Sequence, residues 1–466
     1  MGPTLPALYR SDTKSIYFTD DNLVHYVLSY GEDGYCVIRE GDILDGRYLS
    51  LFVLGYGGDG QVWLCRDIHK RYETTLLDRS LPYNLHSSSD SATSYVAIKV
   101  VRPREPATDH LHVEGLLSHL PRSMFHISGM DRITQIQRTF DLVARDKTHR
   151  CFVMEALGPS LSEYIQSQDY QLGDAPSIAF DCFCAVGALH TLGICHGDID
   201  ISNFAVEPPS WESRQLSDEY IYERFGYPQM RKKRVIPEKG KALPPGVPLW
   251  IYPPASLKIY NGDTPVMDPP MVKLLDFGSA SFVNQQAHKT KYHTRAAAPE
   301  TLQTQETTCK TDMWSLGVIL CFLLTRDYIM DIFSKTKRLD RHGAMLGRTG
   351  MEHFLSLTTV ERKQAVSERL LELYPGMEGY VFAATDLLIQ LLQPEPFLRP
   401  EAYTVVNGHP FFQPPHMMGV SDTAILSQSP PLVSTQQQFS CPLERDLLPQ
   451  DEPQSAETRA TRRLTM

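Results

Sequence analysis

An aspartate and an asparagine stand five positions apart behind a histidine in residues 196–204. In loops that transfer phosphoryl groups, the Asp accepts the proton of the attacking hydroxyl, and the Asn holds a Mg²⁺ ion beside the phosphates. Asp198 and Asn203 occupy those two positions here. The same residue types are common in ordinary surface turns, so the interpretation depends on whether the other parts of such a site follow in order.

A glycine-rich turn joins two strand-like stretches near the start of the chain. It contains Gly55, Gly57 and Gly60, and Val62 follows in the second stretch. A dinucleotide-binding turn would lead into a helix, whereas a strand after the turn is typical of a loop that covers nucleotide phosphates. Glycine lets main-chain N–H groups approach the phosphates because it has no Cβ. An ordinary glycine hairpin is the alternative.

A lysine interrupts the apolar run 95–100, which otherwise reads as a buried strand. An unpaired buried ammonium costs several kcal/mol, so Lys99 predicts anionic partners. Nucleotide phosphates and a helical glutamate supply them in phosphoryl-transfer sites. Glu114 lies in a segment with helical apolar spacing and is a better candidate than Glu105, which neighbours prolines. The alternative is an edge-strand lysine whose ammonium reaches water.

The adenine of a nucleotide would lie near residues 151–158, which read as a strand that leads into a hinge. Backbone groups of this hinge are expected to hold the adenine, with Glu155 and Leu157 beside it. Val62 and Ala97 are expected to line the same site.

The other parts of the site follow downstream. Asp276 opens a D-F-G triplet behind an apolar strand, where it would bind Mg²⁺. An A-P-E triplet ends at Glu300, and Asp312 opens an apolar helix. Each triplet alone is common, but their order behind the 196–204 loop favours one phosphoryl-transfer site.

Helices are predicted at several further places from the spacing of apolar residues. The predicted helical segments are about 161–165, 175–192, 366–374 and 380–392. The second of them delivers the chain to the 196–204 loop.

Composition narrows the class of protein. The chain has 466 residues, a hydrophobic fraction of 42% and a formal net charge of −10, which fits a soluble globular protein of two lobes. This charge predicts no direct binding to nucleic acid and permits an acidic groove for basic peptides. We expect no membrane span, because the longest apolar run, 314–324, is too short. No secretory signal is recognised at the N-terminus.

Nine cysteines are scattered without paired spacing, which indicates a reducing compartment and no cysteine metal site. A cytoplasmic or nuclear, monomeric protein is expected. A basic tetrad at residues 231–234 is either a solvated loop or a nuclear-import signal.

Taken together, residues 46–412 resemble a eukaryotic protein kinase. The runs D-I-L-D-G-R-Y at 42–48, L-G-Y-G-G at 54–58 and V-W-L-C-R-D at 62–67 are similar to the SR-protein kinase family, especially its divergent fungal members. That resemblance implies an α+β, two-lobed fold with a small antiparallel β N-lobe that carries one main helix, and a larger helical C-lobe. It also implies transfer of phosphate from Mg²⁺–ATP to Ser in Arg-Ser-rich proteins, in cytosol and nucleus.

Composition and the resemblance together divide the chain, and the resemblance assigns further roles. The expected divisions are a leader at 1–45, an N-lobe at about 46–155, a C-lobe at about 158–412 with a spacer-like insertion at about 207–270, and a disordered tail at 413–466. Glu300 would pair with Arg399, Asp312 would hold the backbone of the catalytic loop, and Met154 would stand at the gatekeeper position.

The chain departs from the kinase pattern at two positions of the catalytic loop. Gly197 replaces an Arg that senses a phosphorylated activation loop, a replacement the SR-protein kinases share. Asp200 replaces a Lys that lies near the transferred phosphate. A unit-charge interaction there is worth roughly 3 kcal/mol, so an inward carboxylate could cost about twice that. An outward rotamer, or a carboxylate that helps to hold Mg²⁺, would remove most of the cost.

Three hypotheses follow from the sequence. The first is an active Ser/Thr protein kinase, with Asp198 as base, Lys99 and Glu114 orienting ATP, and Asn203 and Asp276 on Mg²⁺. The second is a pseudokinase that binds nucleotide but transfers weakly or not at all because of Asp200. The third, a small-molecule kinase, suits the H-G-D loop but not the A-P-E triplet.

Overall fold

A computed structural model describes residues 16–18, 27, 29–31, 34–68, 95–103, 113–117, 126–167, 170–207, 221–222, 232–237, 242–243, 245–255, 270–283, 296–304, 306–329 and 343–413. The predicted tail beyond residue 413, Glu105 and the first residue of the basic tetrad lie outside these ranges.

The strands are short and antiparallel wherever they pair. They are β1 (Ile16–Phe18), β2 (Ile43–Leu44), β3 (Tyr48–Tyr56), β4 (Gly60–Asp67), β5 (Tyr95–Val101), β6 (Ile136–Ala144), β7 (Lys147–Glu155), β8 (Ile194–Cys195), β9 (Phe204–Val206), β10 (Lys233–Pro237), β11 (Trp250–Ile251), β12 (Val272–Leu274) and β13 (Ser281–Phe282).

A six-stranded antiparallel sheet forms the N-lobe, with strand order β2-β3-β4-β5-β7-β6. The glycine-rich turn lies between β3 and β4, as the sequence predicts. Strand β5 is buried along its whole length between β4 and β7, and Lys99 pairs with Val62 on one side and Phe152 on the other. The edge-strand alternative for Lys99 is therefore wrong.

The helices are α1 (Val113–Leu117), α2 (Leu161–Gln166), α3 (Ala175–Thr191), α4 (Pro299–Thr304), α5 (Cys309–Thr325), α6 (Gly343–Ser356), α7 (Thr359–Leu373), α8 (Glu378–Leu391) and α9 (Ala402–Gly408). Of the predicted helices, α2 and α3 match closely, whereas α7 begins earlier than predicted. Helix α6 was not predicted.

Two apolar helices form the centre of the C-lobe. Both α3 and α5 are buried on nearly all sides, as expected for helices inside a lobe. The segment Leu172–Thr191 is long and apolar enough to cross a membrane, but 72% of its most apolar window is buried within the protein. Its composition is accounted for by its place in the core. Together the helical C-lobe and the β N-lobe make the two-lobed α+β architecture that the sequence predicts.

The leader and the insertion pack together against the N-lobe, which the sequence did not predict. Strand β10 of the insertion pairs with β1 of the leader and with β11. Lys233 and Arg234 of the basic tetrad lie on β10, so the interpretation of the tetrad as a loop is corrected. The insertion also reaches β3, where the Ala255 N–H donates to the Val53 carbonyl at 2.7 Å.

A buried ion pair joins two distant segments of the C-lobe, as the resemblance implies. The guanidinium of Arg399, with 0% of its side chain exposed, donates to both carboxylate oxygens of Glu300 at 2.5 and 2.9 Å. It also donates to the carbonyls of Gln393 and Lys310 and lies over the Trp314 ring. The edge of the guanidinium is thus hydrogen-bonded, and one of its faces is covered by the Trp314 ring.

We expect Arg399→Met to lower the free energy of unfolding by about 3–5 kcal/mol, because it leaves a partly buried carboxylate without its cation. Lys363→Met is the control, since Lys363 and Asp386 form a surface pair that is worth about 1 kcal/mol or less. Urea denaturation measures both. Equal losses from the two variants would contradict this account of the C-lobe.

Candidate active site

Asp312 fixes the start of the 196–204 loop from the first turn of α5. Its carboxylate accepts the backbone N–H of His196 at 2.8 Å and that of Gly197 at 2.9 Å. His190, near the end of α3, contacts the same carboxylate through Nε2 at 3.0 Å. Asp312 is 1% exposed, so these short contacts act in a region of low dielectric, where they are strong.

Backbone geometry explains the glycine at position 197. Gly197 has φ +74°, and a Cβ there would come within 2.8 Å of the Ser279 carbonyl oxygen and 3.1 Å of Thr307 Oγ1. An arginine would meet both the left-handed backbone and the close contacts. The packing of this loop therefore requires glycine, and not the arginine of H-R-D, at position 197.

His196 links the loop to the D-F-G segment. Its Nε2 lies 2.9 Å from the Leu275 carbonyl, and its Nδ1 accepts the Asp198 N–H at 3.3 Å. The ring also packs edge-on against Phe277 at a centroid distance of 5.5 Å. The loop and the D-F-G segment are thereby held in one arrangement.

Asp198 and Asn203 contact each other directly. Asn203 Nδ2 donates to the Asp198 carbonyl at 2.8 Å and to its carboxylate at 3.1 Å. This leaves Oδ1 of Asn203 as the oxygen available to a cation. Burial raises the pKa of the Asp198 carboxyl, and the nearby Asp276 carboxylate adds to the rise. A raised pKa suits a general base.

The Asp200 carboxylate is engaged within the loop. Its Oδ1 accepts the Ser202 N–H at 2.9 Å and the Ser202 hydroxyl at 2.7 Å, which caps the short 3₁₀ helix Ile201–Asn203. The sequence suggested an inward carboxylate, an outward rotamer or a carboxylate on Mg²⁺, whereas the structure shows a side chain hydrogen-bonded within its own loop.

Lys99 stands between two carboxylates. Its Nζ lies 2.5 Å from Glu114 Oε1 on α1 and 2.6 Å from Asp276 Oδ1. Burial disfavours the charge of Lys99, but Asp276 and Glu114 outweigh it and raise the pKa of the ammonium. The sequence predicted Glu114 as the partner, and the structure adds Asp276.

Asp276 combines a fixed backbone with an accessible side chain. It has φ 57° and ψ 80°, and its carboxylate accepts the Gly278 N–H at 3.3 Å. Because of the Lys99 cation, the pKa of Asp276 falls to about 2. Since 47% of its side chain is exposed, this ionised carboxylate can take a metal ion.

The glycine-rich turn leaves space for a ligand. A Cβ at Gly55 would meet nothing within 4 Å, and one at Gly57 only the Gly60 carbonyl at 3.9 Å. Gly60 differs, because its Cβ would lie 2.3 Å from the Val100 carbonyl. Gly60 is thus required by packing, while the other two leave room above the backbone where phosphates fit.

A leader residue holds this turn in place. Tyr35 donates its hydroxyl to the Gly57 carbonyl at 2.7 Å, and Arg102 covers its ring at 4.4 Å. The sequence alone does not point to Tyr35, since a contact between a leader tyrosine and a glycine turn has no local sequence signal.

The predicted hinge lies at the end of β7. Ala97 and Leu157 are buried, each 6% exposed. The Glu155 carboxylate accepts from Lys273 Nζ at 2.7 Å, so any part that Glu155 plays with adenine falls to its backbone. Lys273 was also missed, although a lysine in the apolar run before D-F-G poses the same question as Lys99.

The metal-binding capacity of the cleft is modest. Within the described ranges, no group of three or more His, Cys, Asp or Glu side chains is arranged to hold a metal ion. Asp276 and Asn203 offer one carboxylate and one amide oxygen. That donor set fits Mg²⁺, which usually keeps several waters and takes further oxygens from nucleotide phosphates.

Comparison with known proteins agrees with this geometry. The family model described as the protein kinase domain matches residues 264–412. Over this part, the chain is thus similar to protein kinases. Serine/threonine-protein kinase AFC1 of Arabidopsis thaliana is 25% identical over 319 residues, which cover 68% of this chain and 55% of the relative.

Two other relatives of this chain are also protein kinases by name. Dual specificity protein kinase KNS1 of Saccharomyces cerevisiae is 24% identical over 328 residues, 68% of this chain and 36% of its own. SRSF protein kinase 3 of Homo sapiens is 26% identical over 211 residues, 42% of this chain and 33% of its own. Each alignment thus spans about half of the relative or less.

The pH dependence of stability should report the His190–Asp312 contact. Burial lowers the pKa of His190, but hydrogen bonds with Asp312 and Cys309 outweigh it and raise the pKa to about 10. Because an unfolded His titrates near 6.5, the stabilisation is present below about pH 6.5 and is lost as pH rises toward 10. The slope can reach about 1.4 kcal/mol per pH unit.

Denaturation between pH 6.5 and 8.5 should therefore show falling stability in the parent and a flatter curve in His190→Gln. His149→Gln is the matched control. Burial lowers the pKa of His149, so the effect of this residue on the pH dependence of stability lies below pH 6.5. A parent curve that rises over this range, or a slope unchanged in His190→Gln, would contradict the assignment.

Proposed function

We propose that this chain is a serine/threonine protein kinase that transfers the γ-phosphate of Mg²⁺–ATP to a protein hydroxyl. The observation that carries the proposal is the buried Lys99 ammonium, held at 2.5 Å by Glu114 and at 2.6 Å by Asp276. An ammonium in that position meets the α and β phosphates of a nucleotide under the glycine turn. The matched kinase domain and the kinase relatives support the same class.

Each side chain of the cleft has a chemical role in this proposal. Asp198 accepts the proton of the substrate hydroxyl, helped by its raised pKa. Asp276 and Asn203 hold Mg²⁺, which neutralises phosphate charge when bound. Lys99 and Glu114 orient the phosphates. The turn at Gly55 and Gly57 covers them. The adenine lies between Val62, Ala97 and the hinge at Glu155 and Leu157.

The substrate proposed is a serine in an Arg-Ser-rich protein segment. The support is the resemblance to the SR-protein kinases and the formal net charge of −10, which attracts basic peptides. We also propose that the chain works as a monomer in the cytoplasm or nucleus, without a membrane or nucleic-acid partner.

The geometry of Asp200 favours activity over the pseudokinase hypothesis. The carboxylate has two donors from Ser202, and turning it toward the phosphates would break both hydrogen bonds. The roughly 3 kcal/mol of repulsion expected for a nearby like charge adds to that cost. The rate of transfer is then lowered only by the absence of the lysine, and not by a negative charge beside the phosphates.

The test is incorporation of labelled γ-phosphate into an Arg-Ser repeat peptide. Asp198→Asn removes the base and should lower turnover by at least about 10²-fold, with Mg²⁺–ATP still raising the melting temperature. Asp200→Ala is the matched control in the same loop, and it should retain about the parent turnover.

Three results would contradict the proposal. Equal turnover in Asp198→Asn and the parent would contradict the assignment of Asp198 as the general base. A melting temperature that Mg²⁺–ATP does not change would contradict the proposed nucleotide site. A melting shift without labelling of any protein or peptide would instead establish a nucleotide-binding pseudokinase.

A further inference from the structure

Two cysteines meet where the catalytic loop contacts its anchoring helix. Cys195 ends β8 directly before His196, and Cys309 is the first residue of α5, three positions before Asp312. Their Sγ atoms are 2.9 Å apart, although they are 114 positions apart in sequence. A disulfide has an S–S distance of about 2.05 Å, so the two sulfurs must approach by about 0.9 Å for the bond to form.

The two thiols differ in their access to solvent. Cys309 is partly exposed, whereas Cys195 is 3% exposed behind it. The other cysteines in the described part of the chain are buried. A small oxidant from solvent therefore meets Cys309 first, with Cys195 already in place to react with the product.

Neighbouring groups set the reactivity of Cys309. Its hydrogen bond with Cys195 and its burial raise the pKa of the Cys309 thiol, while His190 acts in the opposite direction. Cys309 is therefore a thiol at neutral pH, and thiols react slowly with peroxides. Reaction of this pair with hydrogen peroxide is therefore expected to be slow.

We propose that Cys195 and Cys309 form a reversible disulfide in the presence of hydrogen peroxide, and that this bond ties the catalytic loop to α5. One peroxide oxidises the Cys309 thiol to a sulfenic acid and releases water. The Cys195 sulfur then attacks the Cys309 sulfur, which forms the S–S bond and releases a second water. A dithiol reductant restores both thiols by exchange.

The bond would act on the position of Asp198, and this part rests on the proposed kinase function. Gly197 is packed so tightly against Ser279 and Thr307 that the loop has little room to absorb a shift. A displacement of about 1 Å at a reacting group can cost about 10²-fold in rate. Because the contraction is shared between two segments, we expect turnover to fall by about tenfold.

The experiment treats the purified full-length chain with hydrogen peroxide, alkylates the remaining thiols and maps unreduced peptides by mass spectrometry. A peptide that links Cys195 to Cys309 is expected, with a melting temperature several degrees higher and turnover about tenfold lower. Dithiothreitol should reverse all three. Cys309→Ala and Cys195→Ala should each abolish the response, while Cys184→Ala, which removes another buried cysteine, should keep it.

Absence of the linked peptide, or a peroxide response that persists in Cys309→Ala, would overturn the proposal. A linked peptide with unchanged turnover would overturn its effect on catalysis. If the untreated chain transfers no phosphate, the kinase proposal fails, while peptide mapping and melting still decide whether the disulfide forms.

Discussion

The ammonium of Lys99 joins three parts of the chain that are distant in sequence. Strand β5 supplies the cation, α1 supplies Glu114, and the segment after β12 supplies Asp276. A charge buried to this degree would destabilise the N-lobe if it stood alone, so the two carboxylates are required by the fold as much as by the chemistry. The same contact holds the D-F-G segment of the C-lobe against the N-lobe sheet. Phosphates that enter the cleft would meet a cation whose position is already determined.

A second buried charge performs the corresponding task in the C-lobe. Asp312 receives two backbone N–H groups of the 196–204 loop and one ring nitrogen, all within 3.0 Å. The loop can then take a backbone with positive φ at Gly197 and bring Asp198 beside Asn203. Contacts with Asp312 on the buried side of the loop thus fix its geometry, and the open side of the cleft is left for ligands.

Much of this arrangement was predictable because each kinase-type motif is a short run of sequence that can be recognised by itself, although the motifs meet only in the folded cleft. The order of the glycine turn, Lys99, the catalytic loop and D-F-G was sufficient to assemble the cleft. The direction of Asp200 also had a local signal that was missed, since an Asp followed two positions later by Ser commonly caps its backbone N–H. The pairing of β1 with β10 had no such signal, because it joins a leader to an insertion about two hundred positions away. The contact of Tyr35 with Gly57 spans 22 positions, but it too depends on how the leader folds back onto the turn. The assignment of roles to the individual site residues stays a prediction until it is measured.

We propose that Lys99 and its carboxylates hold a phosphate-binding cleft that Asp200 does not enter. A crystal structure with Mg²⁺ and a non-hydrolysable ATP analogue tests this most directly. The account predicts Lys99 Nζ on the nucleotide phosphates, Mg²⁺ on Asp276 and Asn203, and Asp200 still hydrogen-bonded to Ser202. An Asp200 carboxylate turned among the phosphates, or a cleft without nucleotide at saturating concentration, would contradict it.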